Sequence, residues 1–160
     1  IALIFAREGA KVVVSDMNED GGRETVQLLG QQGGDAIFVK ANVAQPSDME
    51  SLVKQTVDRY GALHVACNNA GVGGETMPTA DYPVDEWNRV LSINLSGVFY
   101  GIKYQIPAML NAGGGAIINI ASILGAVLLL VAASSEVVSN ARRMLLDVKP
   151  NLKLALRSKS

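Results

Sequence analysis

The chain has 160 residues and a formal net charge of −1, and it is 49% hydrophobic and 18% charged. That balance excludes a disordered tail, and near-neutrality offers neither nucleic acid nor an anionic membrane surface a charge to bind, so one modest globular domain is expected. A single cysteine, Cys67, excludes an intrachain disulfide and a cysteine-built zinc site; lying in an apolar run, it reads as a reduced core residue of a cytoplasmic protein.

Strand and helix patterns alternate along the chain. Residues 1–7 read as the last turns of a helix stopped by Gly9, so the chain is expected to begin inside a domain, with no cleavable signal ahead of it. Residues 11–15 are a β-branched strand ending in Asp16, and a polar helix follows over 19–32. A second strand covers 36–40; Ser47, with Glu50 three residues on, caps a helix that runs to Tyr60 and is ended by Gly61. Residues 63–68 form a third strand. The loop 71–83 then leads into a long helix over 84–110 with Trp87, Val90, Leu91, Val98 and Ile102 on its apolar side, kinked near its end by Pro107. Gly113-Gly114-Gly115 turns into an apolar strand, 116–121, that stops at Ser122. Continuous apolar strands alternating with helices specify an α/β fold whose parallel sheet is covered on both faces, the doubly wound class. Residues 116–133 carry no charge and are followed by Arg142-Arg143, which would also suit a marginal transmembrane helix. The first half of that stretch is already a strand in the alternation, and Asn119, Ser122 and Gly125 interrupt it, so no membrane span is expected.

Several short motifs fall in a fixed order along this pattern. They are Arg7-Glu8-Gly9-Ala10-Lys11-Val12-Val13-Val14, Asn42-Val43, Asn68-Asn69-Ala70-Gly71, Ile93-Asn94-Leu95-Ser96-Gly97-Val98-Phe99 and Gly115-Ala116-Ile117-Ile118-Asn119-Ile120-Ala121-Ser122. With them, residues 1–125 resemble the short-chain dehydrogenase/reductase family, classical type, of the Rossmann superfold. The resemblance implies a partial, truncated Rossmann-like domain over 1–125, an NAD(P)-dependent oxidoreductase by ancestry, and an alcohol or carbonyl substrate. Residues 126–160 do not resemble the family and are expected to be a divergent segment and not a second domain, as in an incomplete gene product with a frame change near Val127.

The resemblance also assigns roles to residues. Asp16, at the carboxyl end of a strand, would accept both ribose hydroxyls of the adenosine and repel a 2′-phosphate, which favours NAD over NADP; its plain alternative is a solvated turn residue. Asn42 and Val43 match positions around the adenine. Where the family often has Asp, the Asn42 amide can still accept from the adenine amino group, or it can bond its own backbone. Ala70 and Gly71 have little or no side chain and let backbone approach the nicotinamide ribose, with Asn69 binding beside them; Asn and Gly are also turn formers. Asn94 is implied to hold, through its backbone, a water of a proton relay, or it is a polar residue satisfied in a helix packing layer. Ser122 matches the serine that bonds the substrate oxygen. His64 has no acidic or cysteine partner nearby and reads as structural, and no metal is implied.

Two parts of the family pattern are missing. The first strand and the Gly-rich turn that binds pyrophosphate would lie before Ile1; in strand order 3-2-1-4-5 that strand is central, so its neighbours' edges are expected to be exposed, and cofactor binding weakened. The Tyr-x-x-x-Lys pair, which transfers the proton, is replaced at the family spacing by Ser135 and Ser139, and none of Tyr60, Tyr82, Tyr100 or Tyr104 has Lys at the fourth position after it. A serine hydroxyl cannot stand in for a phenol with a cation beside it. The expectation is a catalytically inactive chain; the alternative is a noncatalytic remnant that binds a nucleotide or a partner. Homo-oligomerisation through the long helix remains open, because the helix that accompanies it in family dimers is not recognisable here.

Overall fold

The computed structural model describes residues 1–121, in which four strands alternate with five helices. Residues Ile1–Ile120 form one unit by themselves. The readings made for residue 122 and beyond, including Ser122, Ser135, Ser139 and the boundary at 125, lie outside the described residues. Helix α1 (Ala2–Arg7) ends ahead of Gly9, whose φ of 85° is open to glycine at little cost. Strand β1 (Val12–Asp16) leads to α2 (Glu19–Gln31), where Asn18 caps by accepting from the Gly21 N–H at 3.2 Å and Glu19 and Asp20 occupy the positive first turn. Strand β2 (Ala36–Lys40) runs parallel to β1, in register from Val12 opposite Ala36 to Asp16 opposite Lys40.

Helix α3 (Pro46–Tyr60) starts two residues earlier than a Ser47 cap would set it and has no side-chain cap. Pro46 begins it, since proline's fixed φ suits a first turn that needs no N–H, and Ser47 falls inside that turn instead of capping it. Gly61, at φ 83°, ends α3 as expected. Strand β3 (Val65–Asn68) is parallel to β4 (Ala116–Asn119), with Val65 opposite Ala116 and Asn68 opposite Asn119. The strands thus form two two-stranded ladders and not one continuous sheet; among the described residues, β1 and β3 each pair on one side only.

The long helix is interrupted. Helix α4 (Val84–Leu91) passes into a π-helical turn, Ser92–Ser96, and then into α5 (Gly97–Asn111). The Gly97 N–H donates to the Ser92 carbonyl five residues back. One extra residue in a turn rotates everything after it by about 100° relative to a plain α-helix. Of the expected apolar side, Val90, Leu91, Val98 and Ile102 are half-buried and Trp87 is 56% exposed, while the buried positions of α5 are Gly97, Gly101, Gln105 and Met109, four apart. Pro107 is accommodated, and α5 continues past it to Asn111. The core is small, with Leu29 fully covered beside Val12, Val39, Ala41, Met49 and Val53, and Ala66 and Met109 buried in the other half. Helix α3 packs on both β2 and α5 and so links the two ladders. No helix among the described residues is long and apolar enough to cross a membrane.

Candidate functional site

The expected cofactor residues stand where β1, β2 and β3 reach their carboxyl ends. Asp16 closes β1 and is exposed; its Oδ1 accepts the Asn18 N–H at 2.9 Å, which fixes the turn into α2 and leaves the other carboxylate oxygen toward solvent. The basic side chains of this corner face Glu19: Arg23 at 2.7 Å and Lys40 at 3.8 Å. The hydrogen bond from Arg23 and then its charge hold the Glu19 carboxyl below its ordinary pKa.

Beyond β2, Asn42 is half-buried, and its Oδ1 accepts from the Ala44 N–H at 3.0 Å. It therefore makes the local turn that was its plain alternative, and one lone pair of that oxygen remains for an incoming donor. Asp48, from the first turn of α3, accepts the Asn42 N–H at 3.0 Å; sequence reasoning missed this tie because the sequence marks Ser47 as the cap. Val43 packs against the start of α5, where a Cβ on Gly97 would lie 2.9 Å from Val43 Cγ2. Glycine at 97 is what lets the 42–43 loop come this close.

Asn69, Ala70 and Gly71 follow β3 as an exposed loop. Both edges of that loop are gripped by side-chain amides. At its far edge Asn94, in the middle of the π-helical turn, accepts the Val72 N–H on Oδ1 and donates from Nδ2 to the Val72 carbonyl, each at 2.9 Å. Both ends of the Asn94 side-chain amide thus hold main chain, something the sequence motif alone does not say. Next to it Arg89 donates to the Gly73 carbonyl at 3.1 Å while its guanidinium is paired with Glu86. The hydrogen bond from Arg89, ahead of its charge, holds the Glu86 carboxyl below its ordinary value. The contribution of that pair is present above the ordinary carboxylate pKa and is lost only as pH falls through the lowered one.

At the near edge, the Asn68 side chain lies between β4 and α5. Its Nδ2 donates to Asn119 Oδ1 at 2.8 Å and to Gln105 Oε1 at 3.2 Å, and Gln105 Nε2 donates back to Asn68 Oδ1 at 2.8 Å. A Cβ on Gly101 would lie 2.7 Å from Asn68 Oδ1. Gln105 was not legible as a site residue; the available signal was a pair of glycines four apart inside a helix, which costs helix propensity and marks a close approach. The β3–β4 ladder carries on one step further, the Ile120 N–H donating to the Asn68 carbonyl at 3.0 Å, two residues before Ser122. The structure therefore brings Val43, Gly71 and Asn94 around the start of α5, with Asp16 at the β1 end. His64 contributes its carbonyl to the β4 ladder, accepting from the Ala116 N–H at 2.8 Å. No group of three potential metal ligands is gathered among the described residues.

Comparison with known proteins converges on one family. The family model for short chain dehydrogenase matches residues 1–134. A cyclohexanol dehydrogenase of Acinetobacter sp. (strain SE19) is 47% identical over 124 residues, 78% of this chain and 49% of that protein. Among solved structures, a 3-ketoacyl-ACP reductase from Sinorhizobium meliloti 1021 superposes with a TM-score of 0.74 at 30% identity, over 76% of this chain and 48% of that one. The F189W actinorhodin polyketide ketoreductase, solved with NADPH, superposes with a TM-score of 0.72 at 38% identity, over 76% of this chain and 47% of that one. The chain thus spans about half the length of the relatives it matches.

Proposed function

Because the chain belongs to the short-chain dehydrogenase family, we propose that it binds a nicotinamide dinucleotide along the carboxyl ends of its strands, in the manner of an oxidoreductase of alcohols or carbonyls. The observation that carries this reading is the Asn94 amide on Val72, which holds residues 69–71 open to solvent, with Ala70 and Gly71 offering backbone almost bare of side chain. Asn69, Ala70 and Gly71 would take the nicotinamide ribose, Asn42 and Val43 the adenine, and Asp16 the adenosine ribose. NAD is the preferred form: the Asp16 carboxylate is exposed, and a 2′-phosphate set against it would meet a like charge. The region concerned is 1–125, and the reducing cytoplasm is its proposed location.

The cofactor, when bound, supplies hydride chemistry. Asn94 holds the loop through its side chain, which leaves its backbone to order a water, and Ser122 orients the substrate oxygen. No phenol stands at the family position that moves the proton, since Ser135 and Ser139 occupy the positions of the tyrosine and lysine in the sequence. The chain is therefore proposed to bind cofactor without turnover. The same two serines favour the second reading, a noncatalytic protein that binds a nucleotide or a partner.

Fluorescence titration of the full chain with NADH and NADPH, followed by a reductase assay on a panel of ketones and aldehydes, tests the proposal. NADH is expected to bind about tenfold more tightly than NADPH, a modest outcome for a like-charge contact, and no ketone to be reduced. Equal affinities would remove the Asp16 assignment. Failure of both dinucleotides to bind would sink the cofactor reading, and measurable reduction would overturn the inactivity.

A further inference from the structure

Gln105 is the buried polar side chain of the described residues, 5% exposed, and none of the proposed cofactor contacts uses it. Its amide is satisfied by a single partner, the Asn68 amide, to which it both donates and from which it accepts. A reciprocal pair of this kind fixes the orientation of both amides, because turning either one sets donor against donor. Gly101, one helical turn earlier, leaves the room for Asn68 to enter.

Asn94 stands eleven positions before Gln105 on the same helical path, in the π-helical turn that precedes α5. One helical path thus holds the loop at both edges, Asn94 on Val72 and Gln105 on Asn68, with residues 69–71 between them. We propose that Gln105 is a positioning residue of the cofactor site: by pairing with Asn68 it anchors the root of the 69–71 loop to the helix that already holds its far edge. The consequence for ligand binding rests on the cofactor reading of that loop; the anchoring itself does not.

The test compares the full chain with its Gln105→Leu and Gln105→Glu variants by amide hydrogen exchange and by NADH titration. Gln105→Leu is expected to leave exchange in β1 and β2 unchanged, to accelerate it over residues 69–72, and to weaken NADH binding about tenfold, as loss of a buried hydrogen-bonding partner allows. Gln105→Glu supplies a readout that simple packing would not move. A protonated carboxyl can donate to Asn68 Oδ1 and accept from Nδ2, whereas the ionised form cannot donate, and burial raises the pKa of such a group. NADH binding by this variant should approach that of the parent near pH 6 and fall toward that of Gln105→Leu by about pH 8.5, while the parent stays flat. Unchanged loop exchange in Gln105→Leu overturns the proposal, as does acceleration spread equally through β1 and β2, unchanged NADH affinity in a chain that binds NADH, or a Gln105→Glu variant with no pH dependence of its own. If the parent chain binds no NADH, the cofactor reading fails and exchange alone decides: acceleration confined to 69–72 supports the anchor, and its absence overturns it.

Discussion

At the ends of β1 and β2 the chain is tied by near neighbours, Asp16 accepting from Asn18 and Asn42 from Ala44, each two residues away. At the ends of β3 and β4 the ties run between distant residues: 22 positions separate Asn94 and Val72, 37 separate Asn68 and Gln105, and 51 separate Asn68 and Asn119. The turns after β1 and β2 can therefore take their shape locally, at low entropic cost, although Val43 also rests on Gly97 of α5. The 69–72 loop is held at both edges by residues of the π-helical turn and α5, and its order depends on that packing. Sequence neighbours set most of one half of the candidate site, and packing sets the other.

This contrast can be broken from either side. The largest effect is expected in the first half for Leu29→Ala, because Leu29 is the fully covered side chain under the β1–β2 ladder. The loss should be about 2–5 kcal/mol, read as a fall in the urea midpoint. With local turns shaping the first half, NADH affinity of the protein that remains folded should change little. A smaller effect on stability but a larger one on binding is expected in the second half for Asn94→Ala, which removes both bonds to Val72. Loss of two hydrogen bonds of about 1 kcal/mol each frees the loop, with NADH binding weakened by at most roughly thirtyfold and a fall in the midpoint smaller than that for Leu29→Ala. If Asn94→Ala bound NADH like the parent, the loop would not need its clamp.

The same contrast explains what was legible in the sequence. Strand β1 with Asp16 at its end, α2 with its acidic first turn, the Gly61 stop and the strand-ending Asn68 follow from runs and punctuation that act within a few residues, and they stand in the structure at or near their expected bounds. The family itself was legible for a related reason, since each of its motifs is short and their order is kept. The π-helical turn was not legible, because nothing in Ser92-Ile93-Asn94-Leu95-Ser96 distinguishes it from ordinary helix until Asn94 must reach Val72. Trp87, expected on the apolar side, is exposed although Val90 and Leu91 of the same helix are half-buried. The division into two ladders was expected only as exposed edges, since strand pairing is a relation between segments and no single segment carries it. Gln105 reads as a polar residue on a helix, and only its burial against Asn68 gives it a role.

The central claim is that the local half and the packed half form one dinucleotide site. Amide hydrogen exchange of the full chain with and without saturating NADH tests it most directly. Protection is expected to appear together at residues 16–18, at 42–44 and at 69–72, with β4 and the exposed face of α4 unchanged. Protection confined to one of the two halves, or absent from all three segments while NADH is bound, would contradict it.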